Sequence, residues 1–532
     1  MRKITIALSL FLAVFLFFGT TDFSAIAGQS DKVLRAAFES EVRSLDPHIG
    51  RTTEERFILV MLANGLFKFK PGEYKIEGLD LAEKYDVTED GMVWTFKLKK
   101  GVMFHPFPGY PNGLELTAED VVYSINRAGN PKSSAFASDM KAFSPEALDR
   151  YTVKITLKHR LPPGQLERTL SNYGGGFVVS KKAVEKLGKD FATHPIGTGP
   201  FKLEKYEPGV KVVLSANKDY FNGKPRLEGV EVIFMPDLSS REAAIRAGEV
   251  DMILGFREQS WVEKAAKWKN KNIVPVTHGP GAVYTLHFDV TKPPFDNIKI
   301  RQAFAYAIKR EEVVAFMGKA MVDPEYAAIP HELPGSLSKE EVESAGLLYQ
   351  YDLEKAKKLL AEAGHKTLDV KMFISQKAQY SRALENIQAQ LMRAGINLKL
   401  NVVDHSTYHS YIRKDLNPIV VYAAARPTPD TWFSQFYHSS SIVVKGKAPV
   451  TNFSHCDSID DLIEKARSSE NISDASKYWK KAQIKILEDL YAYSLYGQKY
   501  AFAVNKGLSW GYDLKASHAS APQINEKTDI NR

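Results

Sequence analysis

Cysteine is nearly missing from this 532-residue chain: Cys456 is the only one. No intramolecular disulfide can form, and cysteine-ligated zinc or iron–sulfur sites are excluded. Charge of one sign is also scarce. Lys plus Arg number 71 and Asp plus Glu 63, a balance of +8 that is mild for this length. The densest basic stretch, 264–271, holds four lysines around Trp268, with Glu263 directly before it. It reads as a solvated helix face and not as a nucleic-acid surface. There is no H-E-x-x-H, no G-x-x-x-x-G-K-[ST], and no G-x-G-x-x-G after a strand. Only one long apolar run occurs, at the N-terminus.

That run reads as an address. Arg2 and Lys3 precede an apolar stretch over 4–18, and Ala25-Ile26-Ala27 fits small-x-small cleavage. The stretch is shorter than the ~20 residues of a membrane span. The expectation is a secretory signal over 1–27, a mature N-terminus at Gly28, and a soluble periplasmic protein without a lipid-anchor cysteine.

What is present is material for a large folded core. Apolar residues make up 44% and charged residues 25%, which excludes disorder as the main state and leaves room for about three or four domain-sized units. Trp94, Phe96 and Leu98 alternate with polar residues, as do Val153, Ile155 and Leu157, and both segments read as half-buried strands. Thr117-Ala118-Glu119-Asp120 and Ser239-Ser240-Arg241-Glu242 read as helix starts, the second helix ending at Gly248. Asp352 opens another helix, which stops at Gly364. The alternation of signals predicts an α/β or α+β architecture.

Chemical motifs are few. Gly507-Leu508-Ser509-Trp510-Gly511 matches the G-x-S-x-G pattern of hydrolase nucleophiles. Only 532 − 511 = 21 residues remain to supply acid and base, and Asp513 and His518 sit too close to be placed by separate loops. His405 and His409, one helical turn apart beside Asp404, could share a metal or lie exposed on a polar helix; no third ligand is evident. Tyr173-Gly174-Gly175-Gly176-Phe177 could admit a ligand close to backbone or form a tight turn. Binding is therefore expected over catalysis.

A series of phrases makes the chain specific. Leu79-Asp80-Leu81-Ala82-Glu83 precedes Asp90-Gly91 and Trp94-Thr95-Phe96-Lys97-Leu98. Gly101-Val102-Met103-Phe104-His105 and Leu116-Thr117-Ala118-Glu119-Asp120-Val121 follow, then Gly197-Thr198-Gly199-Pro200-Phe201 and Pro427-Thr428-Pro429-Asp430. In order and spacing these resemble family 5 extracellular solute-binding proteins, the peptide, opine and nickel receptors of ABC importers. The resemblance implies an α/β fold of two hinged lobes with an extra domain in the first. Base-lobe segments are expected over 28–76, 188–281 and 498–532, the extra domain over 77–187, and the second lobe over 282–497. It further implies a monomer without cofactor or metal. Such a receptor would close on a small-molecule or short-peptide ligand and deliver it to an inner-membrane permease, with no nucleic-acid partner. A secreted serine hydrolase is the reading from a different class.

Peptide-binding members hold the ligand ammonium with an aspartate at the place that falls here on Ala425, with Arg426 beside it. No carboxylate lies between Asp415 and Asp430. A buried ammonium without a counter-charge carries a heavy desolvation cost. An anionic solute, such as an opine or sugar acid, would suit Arg426; a free-amine peptide and a neutral oligosaccharide remain open. The residues expected at the cleft are Arg426, Tyr422, Trp432, Tyr173, Tyr408, Gln376 and Glu41.

Overall fold

The computed structural model describes residues 31–171, 174–279, 281–446 and 450–532. The expected signal sequence and Tyr173 lie outside the described residues.

Three sheets organise the chain. The largest has seven strands in the order Ile273–His278, Tyr500–Asn505, Met252–Leu254, Val33–Phe38, Gly229–Phe234, Lys211–Ala216 and Phe201–Glu207. Val33–Phe38 runs parallel to both neighbours, and the other pairings are antiparallel. Phe38, Val230, Val232, Phe201 and Phe502 build one of its apolar faces against Phe57 and Ile58 of helix Thr53–Leu62.

The second sheet is antiparallel: Ala82–Val87, Val93–Leu98, Thr152–Leu157 and Phe143–Asp149. The period-two pattern decides its inner face. Phe96, Leu98, Val153, Ile155 and Leu157 are buried against Val121 and Ile125 of helix Ala118–Ala128, while Trp94 is half-buried. The third sheet orders Val322–Pro324, Ala492–Gln498, Val283–Phe288 and Ile419–Ala424, all antiparallel. The parallel pair Leu368–Ser375 and Ile396–Val403, linked by helix Ala378–Arg393, shares a core with it.

The first and third sheets are joined by two neighbouring crossings, His278 to Val283 and Gln498 to Tyr500. His278 pairs with Tyr500, and the Gln498 amide donates to the Ala282 carbonyl at 2.9 Å. Two adjacent strands passing between sheets are the geometry of a hinge, because few dihedrals must change to swing one body against the other.

Local signals explain the elements. Thr117 forms its capping box with Asp120, and Asp352 caps Lys355. The helix expected to start at Ser239 begins two residues earlier: Asp237 accepts from the Ser240 amide, and Leu238–Ala247 follows, ended by left-handed Gly248. The carboxylate outcompetes the serine hydroxyls as cap. Glycines 197 and 199 pass against the end of helix Thr53–Leu62. A Cβ there would sit 2.1 Å from the Leu62 carbonyl oxygen and 2.2 Å from that of Met61, so only glycine fits. No helix of the described residues is long and apolar enough to cross a membrane.

Candidate ligand-binding cleft

A cleft of about 310 Å³ lies between the body built on the seven-stranded sheet and residues 425–428 of the other body. One wall is assembled from distant segments. Arg51 and Arg56 flank the start of helix Thr53–Leu62, Phe69 ends strand Phe67–Phe69, and Arg168 rides on the short helix Gln165–Thr169. Tyr74, Tyr500, Ser517 and His518 complete this side. The facing wall offers Ala425, Arg426, Pro427 and Thr428. Four arginines thus line the cleft against one carboxylate, Asp139.

The loop carrying Arg51 is tied down by a single carboxylate. Buried Glu55 accepts from the amides of Arg43, Ser44, Arg51 and Thr52 at 2.6–3.2 Å. Thr52 returns a capping-box bond. This fixes the start of the helix and with it the positions of Arg51 and Arg56.

Arg168 is the most unusual group. Its residue is 8% exposed, its Nη2 donates to the Tyr74 carbonyl at 3.2 Å, and Nη1 has no hydrogen-bond partner. Its guanidinium carbon lies 5.4 Å from the Phe69 ring centre and 5.6 Å from that of Tyr74. Burial pushes its pKa below the usual arginine value, yet an arginine stays charged. The aromatic faces stabilise the cation partially, and one guanidinium donor is left without a protein acceptor. His518 stacks on Phe69 with centroids 3.6 Å apart. Burial, reinforced by the charges of Arg168 and Arg56, holds its pKa well below the ordinary value, so its ring is neutral at pH 7.

Of the residues expected from sequence, Arg426 lines the cleft. Its Nε donates to Gln435 Oε1 at 2.5 Å, and its guanidinium lies 5.2 Å from the Phe436 ring centre. Ala425 lines the cleft too, and nearby Asp430 is engaged by Arg467 Nε at 2.7 Å, so the facing segment presents no free carboxylate. The other described residues expected at the cleft lie outside its lining in this structure. Tyr408 is fully buried with its hydroxyl donated to the Val421 carbonyl. Trp432 is buried against Phe436, its Nε1 on the Arg426 carbonyl at 3.3 Å. Tyr422 packs between Phe436 and Phe453. These rings lie beneath the wall as core. Gln376 and Glu41 are exposed and do not line the cleft.

The remaining motifs fall away. Ser509 sits in the two-residue strand Leu508–Ser509 paired with Asp529–Ile530, not on a strand-to-helix turn. His405 and His409 lie with ring centres 4.5 Å apart and join neither of the clusters of three ligating groups among the described residues. One such cluster, Asp289, Asp415 and His455, already holds a cation: Lys292 Nζ lies 3.0 Å from Asp289 and 2.5 Å from Asp415. Arg51, Arg56 and Arg168 carry no sequence signal that separates them from surface charge, and His518, between Ser517 and Ala519, stands out only beside the G-x-S-x-G pattern.

The family model for bacterial extracellular solute-binding proteins, family 5 Middle, matches residues 78–443. The chain belongs to this family. Family 5 proteins are the solute receptors of ABC importers for peptides, opines and similar compounds, working outside the cytoplasmic membrane. Among solved structures, this family 5 chain is similar to MoaA of A. tumefaciens R10 in complex with mannopinic acid. The two are 37% identical, over 94% of this chain and 100% of that one, with a TM-score of 0.71. It also overlays on the unliganded open form of the murein tripeptide-binding protein MppA, at 20% identity over 94% and 98% of the two chains, with a TM-score of 0.79. Heme-binding protein A of Haemophilus influenzae is 29% identical over 455 residues, 79% of each chain.

Proposed function

We propose that this family 5 receptor captures an acidic, opine-like solute, its acid group clamped by Arg168 and reached across the cleft by Arg426. The observation that carries the reading is the unpartnered Nη1 of buried Arg168 in a cleft of four arginines and one carboxylate. Leaving such a donor dry costs about 1–3 kcal/mol, which an acidic ligand recovers. Asp139 remains for an amine on the same solute. The likeness to a mannopinic acid complex agrees with this chemistry, and the missing carboxylate at Ala425 disfavours free-amine peptides.

In this reading the chain is secreted through residues 1–27, works as a soluble monomer, and hands its ligand to a membrane permease without chemical change. The lobes follow the ranges expected from sequence, hinged at the crossings near 280 and 499. Overlaying better on an open form at lower identity than on a liganded complex supports lobes that stand apart here. Ligand then stabilises the closed form by its differential affinity for it. The test is mass spectrometry of solute released by denaturing the purified protein, with small-angle scattering before and after reloading. An acidic solute and a smaller radius of gyration are expected. A neutral or purely cationic solute would overturn the reading.

A further inference from the structure

The other cluster of ligating groups is Glu325, His331 and Glu332, and one ligating atom from each lies within 4.8 Å of the others. All three come from one loop, which the fold pins at several points. The loop leaves strand Val322–Pro324, the Glu325 amide donates to the Leu495 carbonyl at 3.3 Å, and Ala328 and Ile329 anchor it in the core of the third sheet. His331 stands between the two carboxylates. Its Nδ1 lies 2.9 Å from Glu325 Oε1, and its Nε2 lies 3.5 Å from Glu332 Oε1. Glu332 Oε2 is buried without a hydrogen-bond partner. The His331 side chain is 52% exposed, which leaves a way in from solvent.

A void of about 10 Å³ opens among these residues, Asp323 and Lys499. It has room for one ion or water and nothing larger. Three carboxylates and one lysine line it, so with His331 neutral the lining carries two net negative charges, the charge of one divalent cation. Lys499 Nζ is already on Asp323, at 2.7 Å. That leaves Glu325 and Glu332 to share a single imidazole, which offsets at most one of them. Burial raises the Glu325 pKa, and the bond to Glu325 raises that of His331. The cluster therefore holds a proton at neutral pH that a metal ion would displace. The void also abuts both crossings between the sheets. Gly279, Gln498 and Lys499 line it, and a Cβ on Gly279 would lie 3.3 Å from Glu332 Oε1.

We propose that Glu325, His331 and Glu332 form a binding site for one divalent transition-metal ion of the zinc type, set against the hinge. Two carboxylates and one imidazole supply three protein ligands and leave a fourth position to water on the exposed side. The imidazole selects zinc over calcium or magnesium.

The test is calorimetric titration of the full-length mature protein, stripped with a chelator and dialysed, with zinc chloride at pH 7. Wild type should bind saturably and release protons, read from the heats in buffers of different ionisation enthalpy. His331→Ala and Glu332→Gln should each weaken binding at least about tenfold, since even the loss of a ligand's hydrogen-bond partner costs that much. Both side chains reach the surface, so these variants test the site without emptying the core. His409→Ala should leave zinc binding unchanged. Two results would overturn the proposal. One is no saturable binding of zinc to wild type. The other is binding that persists in His331→Ala and Glu332→Gln and disappears in His409→Ala, which would place the ion on the His405–His409 pair.

Discussion

The two walls of the cleft are built differently. On one, Arg168 is buried between Phe69 and Tyr74 with a donor unused, close to the neutral His518. On the other, Arg426 is half-buried and already spends its Nε on Gln435. A desolvated, preorganised cation is worth more to an incoming anion than a solvated one that must give up existing bonds. On the proposed reading, affinity comes from the first wall, and the second adds a closing contact when the lobes meet.

The largest effect that would break this contrast is at Arg168. Arg168→Gln should weaken binding of the proposed acidic solute about a hundredfold by calorimetry, the upper range of a charge-assisted hydrogen bond. Arg426→Ala should cost nearer tenfold, and scattering should show the variant closing less at subsaturating ligand. If Arg426 proves the costlier of the two, the ranking of the walls is reversed.

pH sharpens the comparison. The cleft's positive charge comes from arginines, which do not titrate near neutrality, so affinity for an acidic solute should stay flat from about pH 6 to 8. Stability should change in a lower window. Burial lowers the pKa of His48, His105 and His278 to about 4, and of His287 to about 3. Their folded values lie below the unfolded value near 6.5, so the unfolded chain binds more protons in acid. Stability is then full above about pH 6.5 and falls as pH drops toward 4, in a series of thermal melts. Loss of affinity between pH 8 and 6.5, where stability is full, would contradict a binding site made of arginine.

The smallest effects belong to Gln376→Ala and Glu41→Ala. Both residues are exposed and outside the cleft lining, so affinity and stability should change by less than about 0.5 kcal/mol.

The fold was far more legible in the sequence than the site. Period-two alternation marks Phe96–Leu98 and Val153–Leu157 because one face of a sheet must be buried. Gly197 and Gly199 stand out because only glycine lets backbone pass the carbonyls of Met61 and Leu62. Such signals are local. The binding wall is not: Arg51, Arg168 and His518 come from segments more than a hundred residues apart, and each alone resembles ordinary surface charge or a core histidine. The aromatic residues Tyr408, Tyr422 and Trp432, expected at the cleft, lie in the packing beneath its wall. Large rings beside a candidate segment are more often the packing beneath it than its surface. Only the lack of a carboxylate around Ala425 was readable as chemistry, and it pointed to an anion before the arginines were in view.

The proposed function requires Arg168 to meet an acid group. The most direct measurement is a crystal structure of the protein with the solute it captures in its own cell. An acidic group is expected within about 3 Å of Arg168 Nη1, in hydrogen-bonding range, with the lobes closed over it. A closed, liganded structure in which Arg168 Nη1 still has no partner, or in which the solute carries no acidic group, would contradict it.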